Sequence, residues 1–147
     1  MTTPARPILL NSCARAATAE EARFRIDRPI GGRSALVVAL DDEAAEVVAR
    51  LAEKSWRGAR FLHAADPSVD LEDVDVVVMI ATAYADADVA APLAHACFER
   101  GIMTAGLILG DRLEVAPAVS ALRPYARNLM VTGDEEDVAE VLTALRA

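Results

Sequence analysis

The run Val-Val-Val-Met-Ile-Ala at positions 76–81 is apolar at every consecutive residue. A strand whose two faces are both apolar must be covered on both sides, and a parallel sheet with helices above and below provides that cover. The residues around the run fit the same reading. SALVVAL (34–40) is a buried-strand segment. DDEAAEVVARLAEKSW (41–56) follows it with Val47, Val48, Leu51 and Ala52 at helical spacing and acids in its first turn. ARFLHA (59–64) reads as the second strand, 65–73 as a loop, and 74–83 as the third and most central strand. A helix over 86–100 with an Asp cap, Pro92 near its start and Gly101 at its end leads to strand four at 102–109. A shorter helix at 115–126, strand five at 127–133 and a helix capped by Asp134 over 134–147 complete the series.

The order β-α-β-β-α-β-α-β-α, with a connecting strand or a lost helix between strands two and three, predicts a three-layer, doubly wound Rossmann-like domain. Its sheet is mostly parallel and five-stranded. At 147 residues the chain has the length of one domain with a full core. Residues 1–33 stand outside the rhythm as an N-terminal arm, partly ordered or packed on the domain. In it, 7–12 suits a short edge strand, 16–25 a helix and IDRPIGGR a linking turn.

Composition limits the function classes. Apolar residues make up 54% of the chain, yet no apolar run approaches the roughly 20 residues of a membrane span. The start lacks a secretory signal core, and Cys13 and Cys97 suggest no disulfide framework. A cytoplasmic location with reduced thiols follows as the expectation. Residues 1–33 hold six Arg against Glu20, Glu21 and Asp27, a net of +3, while 34–147 hold nine basic and twenty acidic residues, a net of −11. Such a body repels polyanions, and the single lysine, Lys54, belongs to no basic run with interleaved aromatics. No nucleic-acid groove is expected in the main domain. The arm's arginines could meet phosphate or an acidic partner, or pair with the protein's own acids.

In an open parallel sheet, ligands bind beyond the carboxyl ends of the strands. Those ends carry Asp41 and Asp42 after strand one, His63 and Asp66 after strand two, and Thr82, Tyr84, Asp86 and Asp88 after strand three. Asp111 follows strand four, and Thr132 and Asp134 strand five. Of these, Asp41, Asp42, Thr82, Tyr84, Asp86, Asp88, Asp111, Thr132 and Asp134 are the candidate ligand-binding residues. Phosphate needs glycines and a helix start free of anions, but LDDEAAE stands where G-x-G-x-x-G would be, and no G-x-x-x-x-G-K-[ST] occurs. The same acids equally suit helix caps, worth about 1 kcal/mol each. As a group they could form an acidic cleft for Mg²⁺, an amine or a partner's arginine. No His/Cys metal spacing and no G-x-S-x-G elbow is present. Cys97 reads as a small core residue, Trp56 and Phe98 as core or interface anchors, and Tyr84 as either packed or exposed in its loop.

Two family resemblances follow. From Asp75 to Leu142, DVVVMIATA, then VAAPLAHACFERGIMTAGLIL, then LRPYARNLMVTGDEEDVAEVL resemble the strand, phosphate loop, helix, strand and acidic turn of the FtsZ/tubulin nucleotide-binding domain. TAYADAD replaces that family's glycine-rich loop, so the resemblance implies the fold with GTP binding and hydrolysis lost. SALVVALDDEAAEVVARLAEK (34–54) resembles the first strand, acidic pair and first helix of response-regulator receiver domains, with Asp41 and Asp42 matching the metal-binding acids. The phospho-accepting Asp expected within MIATAY is absent, which implies a pseudo-receiver. The leading expectation is a non-catalytic interaction, accessory or regulatory module with a degenerate ligand site and a protein partner or a second copy. The alternatives are a small-ligand or nucleotide-binding regulator and a Mg²⁺-dependent enzyme, and no particular cofactor is implied.

Overall fold

The computed structural model describes residues 33–64 and 69–147. The elements read from 1–32, and Asp66, lie outside the described residues. The chain forms β1 (Ala35–Ala39), α1 (Asp42–Ala52), β2 (Ala59–His63), β3 (Val76–Ala81), α2 (Ala87–Glu99), β4 (Met103–Leu109), α3 (Ala116–Leu122), β5 (Asn128–Thr132) and α4 (Glu135–Ala144). All pairings in the five-stranded sheet are parallel, and the strand order is β2-β1-β3-β4-β5. This is a doubly wound, three-layer arrangement of flavodoxin-like strand order.

The period-2 geometry of the strands sorts their side chains between two cores. Ala35, Val37 and Ala39 of β1 and Val76, Val78 and Ile80 of β3 face one side, where Val47, Val48 and Leu51 of α1 and Val138 and Leu142 of α4 cover them. Leu36 and Val38, with Val77 and Met79, face the other, against Ala90 and Cys97 of α2 and Ala118 and Leu122 of α3. Every residue of β1 and β3 is buried, as an apolar run on both faces requires.

The predicted elements are trimmed at their ends. The first helix stops at Ala52 rather than 56, because Trp56 turns back and donates its indole N–H to the Leu51 carbonyl at 2.7 Å. The helix predicted over 115–126 is only Ala116–Leu122, with Val115 at a cap position where no side chain bonds. Between β2 and β3 the described residues form no helix or strand, and Leu71 and Val74 reach into the α2-side core in place of a crossover helix.

Gly101 and Gly106 are among the glycines that geometry requires. Gly101 takes φ +67° after α2, where Ile102 N–H reaches the Cys97 carbonyl at 2.9 Å and Gly101 N–H that of Phe98 at 3.1 Å, a Schellman closure. Gly106 lies buried in β4, where a Cβ would stand 2.6 Å from the Leu129 side chain and 3.2 Å from Ala126.

Candidate functional site

The strand order reverses between β1 and β3, and the crevice at that point opens between the loops that follow them. Asp41 comes from the first loop and Thr82 from the second, and they are bonded to each other. One carboxylate oxygen of Asp41 accepts the Thr82 backbone N–H at 2.8 Å. The other accepts the Thr82 hydroxyl at 2.9 Å and the Ala44 N–H at 2.8 Å. Asp41 is therefore the cap of α1 and at the same time the tie across the crevice. Thr82 is 7% exposed, its hydrogen-bonding groups directed at Asp41 rather than outward.

Most of the other candidate residues also bond within their own loop. Asp86 accepts the Asp88 N–H at 2.9 Å and caps α2. Asp134 accepts the Glu136 N–H at 2.9 Å and caps α4. Asp111 accepts the Leu113 N–H at 2.9 Å and closes a turn before α3. Thr132 donates to the Asp137 carboxylate and accepts the Asp134 N–H at 3.2 Å. Asp42 lies 3.4 Å from His63 Nε2 at the end of β2, a contact that joins two loops. Asp88 is exposed, and Tyr84 projects from its loop with 71% of its surface in solvent.

The structure thus brings together Asp41 with Thr82, Asp42 with His63, and Thr132 with Asp134 and Asp137. It links Asp86 to Asp88 only through the Asp88 backbone N–H, and leaves Tyr84 on that same segment and Asp111 on the loop after β4 without a bond to the other candidates. Among the described residues no three His, Cys, Asp or Glu side chains come close enough to hold a metal ion. The electrostatic character of this edge is mainly acidic: the loops and first helical turns carry acids from Asp41 to Asp137, with Arg112 among them and Arg50 of α1 paired to Glu135 at 2.9 Å. With anions already at the helix starts, a phosphate there meets like charge on top of each favourable helix dipole.

Two hollows were not legible as sites in the sequence. A cleft of about 480 Å³ lies on the α2 side where a crossover helix would pack, lined by Leu40, His63, Val69, Leu71, Val89 and Leu93. A larger groove of about 700 Å³ is at the opposite, amino edge of the sheet, between α2 and the turn entering β5, and includes His95, Phe98, Met103, Tyr125 and Arg127. Its one signal was Phe98, read as a core or interface anchor; 83% exposed, it is not a core residue. Cys97 beside it is fully buried in the core, and burial raises its thiol pKa.

No family model matches this chain, and no curated protein does. Among solved structures it is similar to a de novo designed PLOOP2X3_50 fold protein determined by solution NMR. The similarity spans 78% of this chain and 90% of that one at 16% identity, with a TM-score of 0.45. Among the described residues, no helix is long and apolar enough to cross a membrane.

Proposed function

We infer that the chain is a non-catalytic accessory or regulatory module of the cytosol that acts through protein contacts, with a degenerate site at the point where related sheets bind ligands. The observation that carries this reading is the Asp41–Thr82 tie. Polar groups at a switch point are useful to a ligand when they are unsatisfied and point outward, and here the buried ones are satisfied by each other. Asp86 and Asp134 are committed to helix caps in the same way. The strand order 2-1-3-4-5 is shared by flavodoxin and receiver domains, which supports the receiver-like resemblance over the FtsZ/tubulin one. Ala81 and Thr82 end β3 where a receiver would present its phospho-accepting acid.

Thermal unfolding with GTP, ATP, cyclic nucleotides, dinucleotides and Mg²⁺ tests the reading. A ligand present at 100 times its Kd stabilises the native state by about 2.7 kcal/mol, which for a domain of this size raises Tm by roughly 5–10 °C. The expected result is no shift of that size with any of them. A second reading, a small-ligand regulator, is favoured by the cleft beside His63, whose apolar walls and two polar residues, His63 and Asp88, suit a small, largely apolar molecule. A rise in Tm with such a molecule, abolished by Leu93→Asp, would replace the first reading by the second.

A further inference from the structure

Two exposed faces of the α2–α3 layer, at opposite ends of the same strands, are opposite in charge, and each presents exposed apolar side chains. At the amino edge, Phe98 stands 83% exposed in the 700 Å³ groove, beside His95, Met103 and Tyr125. Arg100, Arg123 and Arg127 are exposed around it, and none has an ion-pair partner among the described residues. The neighbouring acid, Glu99, is engaged by His95 at 3.4 Å. At the carboxyl edge, Tyr84 and Leu113 project from the loops that open α2 and α3, 71% and 87% exposed. Asp88, Asp111 and Glu114 lie on the same segments, likewise exposed and without ion-pair partners among the described residues, and outnumber the one cation there, Arg112. One face is thus a cationic groove with an aromatic wall, and the other an acidic surface with two apolar projections.

We propose that the occupant of the amino-edge groove is the carboxyl edge of a second copy of this chain. Tyr84 and Leu113 of one copy enter the groove against Phe98 and Tyr125 of the next, and Asp88, Asp111 and Glu114 face Arg100, Arg123 and Arg127. Apolar projections supply the buried area, while the charges set register and speed the encounter. Because the two faces are different surfaces on one layer, the contact is heterologous: each bound pair still presents one free groove and one free acidic face, so association continues beyond two copies. The inference gives the interaction module its partner, and rests on that reading.

Sedimentation velocity of the full chain over a hundredfold concentration range, in 50 mM and 500 mM NaCl, tests it. At low salt the average mass rises with concentration without levelling at two chains, and at high salt the association weakens about tenfold or more as exposed charges are screened. Arg123→Glu with Arg127→Glu removes the groove face, and Asp88→Lys with Glu114→Lys removes the other. Each double variant alone stays monomeric, because its two faces then carry like charge, whereas an equimolar mixture associates again beyond two chains, because both contacts between unlike variants pair opposite charges. Phe98→Ser, a solvent-exposed change that leaves the core intact, weakens wild-type association should a charge-reversed variant not fold. A wild-type protein that is monomeric throughout overturns the proposal. So does a mass that levels at two chains irrespective of either double variant, the signature of a symmetric pair. The module reading fails separately, by a nucleotide or Mg²⁺ thermal shift, whatever the mass.

Discussion

Asp41 shows how a residue that looks like part of a ligand site serves the fold. Its side chain accepts three hydrogen bonds, one from its own helix and two from Thr82. Asp41→Ala removes a cap worth about 1 kcal/mol and leaves the buried N–H and hydroxyl of Thr82 unpaired at a further cost. Urea denaturation is expected to show a loss of roughly 2–3 kcal/mol, with Asp41→Asn, which keeps one acceptor oxygen, losing about half of that. Asp86 and Asp88 divide differently. Asp86→Ala costs about 1 kcal/mol as a lost cap, while Asp88→Ala, from an exposed side chain without an internal partner, stays within about 0.5 kcal/mol. If the double Ala variant instead loses a ligand-induced thermal shift shown by the wild type, the acids are a binding site and the degenerate-site reading fails. The sequence located Asp41 and Thr82 at strand ends but could not show that they meet, because 41 residues separate them and only the β1–β3 pairing brings them together.

The elements were legible wherever one local signal was strong enough to fix them. The all-apolar run of β3, the Asp caps of α1, α2 and α4, and the glycine after α2 each carry their own physical cause. Helix α3 was less so, because its start has no side-chain cap and its end continues into a turn at 123–125 that a sequence pattern cannot separate from helix. Gly101 gives this scale its test. The space around its Cβ position is open, so Gly101→Ala meets no clash, and its cost is purely that of holding a side chain at φ +67°. A loss of about 1 kcal/mol in chemical denaturation is expected. No loss would mean that the Schellman closure relaxes when α2 is extended.

At the scale of the whole molecule, the helix starts gather acids at one edge of the sheet while Arg100, Arg123 and Arg127 stand at the other, so a chain of net charge −8 is also polarised along its strands. The net value was plain in the sequence, but the polarity appears only once the parallel order aligns every helix in the same sense. The tie between Asp41 and Thr82 also has a consequence in time. Ribosomes add about 5–20 residues per second, so the 41 residues between them correspond to roughly 2–8 s of synthesis. During that interval β1 lacks its β3 neighbour, and α1 lacks the strand that completes the core beneath it. The nascent chain therefore spends seconds with an apolar edge uncovered, and chaperone capture or aggregation of this protein is expected to concentrate on chains halted before β3 has left the ribosome.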